Sequence, residues 1–125
     1  MRKAFSKAVR QAVYEKCGGH CAYCGTELHI SKMQVDHLIP IEFYDAYAAI
    51  GQDLNAMENL MPSCRSCNNY KHTLTLEKFR NAIERFPEVL HQNNTTYRNA
   101  VRFKMVEPKP HKVIFYFEKE EANAY

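Results

Sequence analysis

An α+β fold is what this 125-residue sequence predicts, and three observations predict it. Short apolar runs closed by turn residues, LHISKMQVDHLIP (28–40) and NLMPSC (59–64), read as β segments. Stretches with apolar residues at helical spacing, above all TLEKFRNAIERF (75–86), read as helices. Two Cys-x-x-Cys pairs, Cys21 with Cys24 and Cys64 with Cys67, bracket the β segments and can staple them together.

The elements follow in order. Residues 3–16 read as a helix with Ser6 as a local cap, Val9 and Val13 on one side, and Gly18-Gly19 ending it. The run 28–40 reads as a hairpin-like β segment whose second strand stops at Pro40. Residues 41–58 read as a short helix and loop carrying Phe43, Tyr44 and Tyr47. NLMPSC is short and extended, and RSCNNYKH (65–72) starts a helix. In the next helix Leu76, Phe79, Ile83 and Phe86 form a core stripe, and Pro87 ends it. After residues 93–96 the pattern alternates, and KVIFYFEKE (112–120) reads as a C-terminal strand. The length suits one domain over residues 1–125, with a core motif at about 20–72 between a basic helix (1–19) and a helical and β extension (73–125).

Composition excludes several classes. The apolar and charged fractions, 46% and 25%, are those of a globular chain and not a disordered one. No apolar run approaches the roughly 18 residues of a membrane span. The amino terminus MRKAFSKAVR is basic but lacks the apolar stretch of a secretory signal, so a cytoplasmic protein is expected. The net charge is +3 and unevenly placed. Residues 1–16 carry Arg2, Lys3, Lys7, Arg10 and Lys16 against Glu15 alone; residues 41–62 carry Glu42, Asp45, Asp53 and Glu58 with no Lys or Arg. A polyanion would approach the first stretch and avoid the second, although solvated helix faces carry such charge equally well.

Five cysteines without signs of secretion argue against a disulfide framework. A two-residue gap lets both thiolates of a pair reach one ion, and two pairs close a tetrahedral zinc site with no open position, as structural sites are. The competing reading, redox dithiols, lacks the βαβ surroundings such motifs have. Cys17 is left as a small core residue.

The polar residues that the core pattern leaves over are Asp36 and His37, adjacent on a strand, then Asn59, Asn68 and His72. Asn68 and His72 are four apart and share a face if that segment is helical. Taken singly each has a plain role: a hydrogen-bonded Asp-His pair, turn or cap asparagines, a solvated histidine. Taken together an acid, an amide and an imidazole can converge on one cation with His37 beside it. His20, His29, His91 and His111 read as structural or surface residues.

In the order CAYCG, VDHLIP, ENLMPSC, CRSCNNYK, over about residues 20–72, the chain resembles the HNH nuclease family in its zinc-stapled form. The resemblance implies a ββα-metal core: a two-stranded hairpin and a helix clasping one catalytic metal. It implies His37 as the general base, Asp36 as the metal-binding residue before it, and Asn59 as the central asparagine that braces the loop and holds the base. Asn68 falls at the last motif position, and His72 matches a further metal ligand of some branches. The His37–Asn59 interval is longer than in compact members, and AAIGQD stands where a glycine pair is often found.

The chemistry agrees with that expectation. An imidazole can take a proton from water near neutral pH. A divalent cation on Asp36 and Asn68 can bind a phosphate oxygen and steady the leaving oxygen. Oxygen ligands favour Mg²⁺ or Mn²⁺, and a His72 nitrogen shifts preference toward Mn²⁺, Ni²⁺ or Zn²⁺. The resemblance therefore implies a metal-dependent endonuclease that nicks or cuts DNA, leaving a 5′-phosphate and a 3′-hydroxyl as the family does. Lys71, Arg65, Lys3, Lys7 and Arg10 are the expected phosphate contacts, though Lys71 and Arg65 read equally well as solvated. The alternative is a non-catalytic zinc-binding module for nucleic acid or protein. A homodimer, or a larger assembly of phage or restriction type, would suit double-strand cutting, but no residue requires one.

Overall fold

The computed structural model describes residues 4–123, with side chains through Lys119. The chain divides into two compact units: Met1–Leu76 together with Ile114–Tyr125, and Glu77–Val113.

In the first unit, helix α1 (Lys7–Glu15) starts where the Ser6 hydroxyl accepts from the Val9 amide at 3.2 Å. Its apolar side buries Val13 completely. Three polar side chains then fasten the helix to later segments. Arg10 donates to the Ile30 and Met33 carbonyls (3.2 and 2.9 Å), Tyr14 to Leu28 (2.6 Å), and Lys16 to Met57 and Leu60 (2.7 and 2.6 Å).

Strand β1 (Gln34–His37) pairs antiparallel with β2 (Leu60–Ser63), Asp36 opposite Met61 and His37 opposite Leu60. The connection between them carries α2 (Tyr44–Ala48) and a 3-10 turn on either side of it. The expected hairpin within 28–40 is thus replaced by a pairing across a long loop. Residues Ile30–Lys32 form a 3-10 turn instead of a strand. The His29 ring nitrogen accepts from the Ser31 amide, and Arg10 takes the carbonyls a strand partner would need. Directly after β2, α3 (Arg65–Lys71) begins at Cys64, whose sulfur accepts from the Cys67 amide.

In the second unit α4 (Leu76–Glu84) buries Phe79. Pro87 ends no helix; it sits in the first turn of α5 (Phe86–Asn93), where its missing N–H costs nothing. The alternating reading after residue 96 gives way to a helix, α6 (Thr95–Arg102), because the Asn94 side chain accepts from the Tyr97 amide at 2.8 Å and caps it.

The expected C-terminal strand is also a helix, α7 (Tyr116–Asn123). Glu118 reaches back to the Phe115 amide at 2.8 Å, the return half of a capping box. The next two amides donate to the first Cys-x-x-Cys segment: Tyr116 to the Tyr23 carbonyl and Phe117 to that of Ala22. Phe115 precedes the helix and Phe117 is its second residue, so the alternation of these two buried rings about Tyr116 spans the helix start, and EKEEAN continues as helix. Both phenylalanines meet the Tyr23 ring edge-on, with centroids 5.4 and 6.3 Å away, and so complete the core of this unit.

Candidate active site and structural metal centre

The four cysteines converge. All Sγ atoms lie within 4.8 Å of one another, with Cys24 and Cys64 3.9 Å apart. A tetrahedral zinc with Zn–S bonds of about 2.3 Å sets its sulfurs about 3.8 Å apart, so these residues fit the ion with a small contraction. Strand β2 brings the two pairs together: the Ala22 amide donates to the Pro62 carbonyl at 2.8 Å, two residues before Cys64. A hydrogen bond from the Cys67 thiol holds Cys21 well below the ordinary thiol range, and the same bond pushes Cys67 up. A bound cation would replace the proton they share. Cys17 is buried in the core, as expected.

The second cluster is built on β1, and its polar members are the buried ones: Asp36 is 6% exposed and His37 7%, while Val35, Leu38 and Ile39 are half-buried. Asp36 Oδ2 takes two partners, the Tyr23 hydroxyl and the Lys71 ammonium at 3.0 Å. Lys71 is wholly buried and also donates to the His37 carbonyl at 2.9 Å. It comes from the last turn of α3, which lies against β1, so its four-carbon stem runs through the core. The phosphate contact expected of Lys71 is therefore excluded, because its ammonium is spent on Asp36. Tyr23 keeps its proton: burial first, then the Asp36 charge, raises its pKa well above the ordinary phenol value.

His37 is held from the opposite side. Its Nε2 lies 3.0 Å from Asn55 Oδ1. Asn55 is in turn set by Asp53, whose carboxylate accepts from the Asn55 amide at 2.9 Å. The hydrogen bonds of the Asn59 side chain go to the backbone and not to the ring. That side chain accepts from the Ile39 amide (2.8 Å) and donates to the Ile39 and Leu54 carbonyls (3.1 and 2.9 Å), tying both ends of the long β1–β2 connection.

Asp36, His37, Asn68 and His72 line one cleft of about 370 Å³ together with Glu42. Asn68 donates its amide nitrogen to Gln34 Oε1 at 3.1 Å, which turns its carbonyl oxygen into the atom a cation would take. His72 caps α3 with φ +47°, a positive value that costs a non-glycine residue about 1–3 kcal/mol. A second cleft of about 450 Å³, lined by Phe5, Arg10 and Gln34, also reaches His37. Of the expected phosphate contacts, Lys7 and Arg65 are exposed, Arg10 is half-buried and engaged by two carbonyls, and Lys3 lies outside the described residues.

Residues 21–74 match the HNH endonuclease family. They form an HNH domain. The site is accordingly of nuclease type, and the two cysteine pairs of the HNH domain are placed to hold a metal. The crystal structure of the Type II-C Cas9 enzyme from Actinomyces naeslundii is similar, with a TM-score of 0.51 and 21% identity. The likeness is one of fold; it covers 84% of this chain and 11% of that enzyme's. No curated protein matches the sequence. Among the described residues no helix is long and apolar enough to cross a membrane.

Sequence reasoning missed Tyr23, Gln34 and Asn55. Tyr23 carried a signal, a polar aromatic enclosed between two metal-binding cysteines. Asn55 carried none, since its approach to His37 depends on the path of the long connection.

Proposed function

We propose that the HNH domain hydrolyses DNA phosphodiester bonds, with His37 as general base. The observation that carries this reading is the shared cleft: a buried imidazole and carboxylate on consecutive residues open beside an amide and a second imidazole. Donation of an Nε2–H to Asn55 leaves the Nδ1 lone pair to take the proton of a water molecule. The water oxygen bonds to phosphorus as the bond to the 3′-oxygen breaks, and that oxygen leaves with a proton from solvent. Asp36, Asn68 and His72 would hold the divalent cation, Mg²⁺ or Mn²⁺, which supplies charge stabilisation to the phosphoryl oxygens and the leaving group. Lys71 and Tyr23 fix the Asp36 carboxylate through Oδ2, so its orientation is set before any ligand arrives. Asn59 keeps the connection closed on the far side of the base.

The test is cleavage of supercoiled plasmid with Mg²⁺ or Mn²⁺, beside His37→Ala and a chelator control. Metal-dependent nicking that disappears in His37→Ala supports the reading. One observation favours the alternative, a non-catalytic binding module: Asp36 already has a buried cation as its partner. DNA retention without cleavage under every divalent metal would select that alternative.

A further inference from the structure

The net positive charge of this chain comes from its second unit. Residues 77–113 hold eight Lys and Arg against four acids, whereas the rest of the chain holds nine against ten. Four thiolates around a zinc ion take two further charges from the cysteine-bearing unit. Within the second unit the excess gathers toward its end in sequence, where residues 102–113 carry Arg102, Lys104, Lys109 and Lys112 against Glu107.

Every residue from Arg102 to Lys112 is exposed. At the end of α6, Lys104 takes φ +64°. The Met105 amide turns back to the Ala100 carbonyl at 2.9 Å and that of Lys104 to Val101 at 3.1 Å, closing the helix in a tight left-handed turn. Phe103 and Met105, the chain neighbours of Lys104, are 73% and 80% exposed. Beyond them Pro108 and Pro110 keep the chain extended. Its far end is pinned, the Val113 carbonyl by Arg80 at 2.7 Å and its amide by Glu84 at 2.8 Å. Lys112 stands 4.0 Å from Glu84 and remains 94% exposed.

We propose that this tip and strap are a nucleic-acid-binding surface, with Lys104, Lys109 and Lys112 on phosphates and Phe103 and Met105 against the bases. The arrangement of charge selects the occupant. Apolar protein interfaces clear lysine from their centres, whereas here a lysine separates the two exposed apolar residues along the chain and two more follow within eight residues. A second copy of the same face would bring like charge against like. Nucleic acid rewards both features, since cations meet its phosphates and exposed apolar side chains stack on or wedge between its bases. The inference rests on the nuclease reading and adds to it an anchoring surface outside the HNH domain.

The test uses the full chain, zinc-loaded and carrying His37→Ala so that DNA survives. Binding of a fluorescent duplex is measured by anisotropy across a range of salt concentrations. The comparison protein adds Lys104→Gly, Lys109→Ala and Lys112→Ala; glycine takes the left-handed turn without strain and the other two sites are exposed, so its melting should match the parent. The slope of log K against log salt should fall by roughly 2–3, at about 0.9 per lost phosphate contact, and affinity at low salt by about tenfold or more. Phe103→Ala alone should weaken binding by roughly fivefold or more. A parent that binds DNA and a triple variant with unchanged affinity and slope would overturn the surface while leaving the nuclease reading intact. A parent that binds no DNA would overturn both. Self-association lost in the triple variant, with DNA affinity unchanged, would assign the face to a second copy and refute the proposal.

Discussion

Replacing Lys71 by methionine removes one charge from the interior while keeping most of the stem volume. Asp36 then sits 6% exposed with Tyr23 as its remaining described partner, and the His37 carbonyl loses its Lys71 donor. Breaking a buried ion pair from one side costs about 3–5 kcal/mol. Tyr23 still donates to the same oxygen, which places the loss near the lower figure, and the orphaned carbonyl adds about 1 kcal/mol. A total of about 3–4 kcal/mol corresponds to a fall in Tm of roughly 10–20 °C for a chain of this size. Urea unfolding of zinc-loaded protein, followed by circular dichroism, measures it. Adding Asp36→Asn removes the stranded charge and should restore about 2 kcal/mol, so the two changes are strongly non-additive. A single-variant loss under about 1 kcal/mol, or strict additivity in the double variant, would refute the pairing and its energetics.

Other perturbations separate the remaining parts. Asn55→Ala should lower kcat by roughly 10- to 100-fold with KM little changed, because the ring it aligns touches only the reacting water. Asn55→Asp should move the acid limb of the activity profile to higher pH, since a carboxylate there favours the protonated imidazole. Stripping zinc with a strong chelator, or Cys64→Ser, should abolish the cooperative melt of the cysteine-bearing unit, given the roughly 10 kcal/mol such ions contribute. Metal content measured beside the melt checks this; a chelated protein that melts as before would mean the cysteines hold nothing structural. Gly25→Ala should cost about 2 kcal/mol or more, because φ is +80° and the new Cβ would lie 2.7 Å from the Tyr116 ring. Gly18→Ala, at φ +57° with open space around it, should cost about half as much. Equal losses would remove Tyr116 from the account.

The site was legible where spacing alone carries the chemistry. Cys-x-x-Cys needs no knowledge of distant residues to be read as half of a metal site, and Asp36-His37 stands out because neither residue suits an apolar strand. Burial was not legible. Lys71 follows Asn68 by one helical turn, as a phosphate-facing lysine would, and only the packing of α3 on β1 turns it inward. The hairpin was misplaced because residues 28–33 are apolar enough for a strand, while the side chains that prevent one, Arg10 and His29, act through carbonyls and a local amide. The last element failed on a local signal outweighed by a longer one. Phe115 and Phe117 alternate as in a strand, yet Glu118 at the third helical position is a helix-start mark that was available to read. Asn94 ahead of α6 was another.

The first compact unit is discontinuous in sequence, and this bears on how the protein comes into being. Tyr23 donates to Asp36, and Phe115 and Phe117 close around Tyr23. A ribosome releases the cysteines, His37 and Lys71 well before the two phenylalanines that close around Tyr23. A chain still under synthesis therefore has every polar group of the cleft but not the wall that seats its carboxylate. Assembly of the cleft is thereby deferred until the intervening residues 77–113 of the second unit have been made.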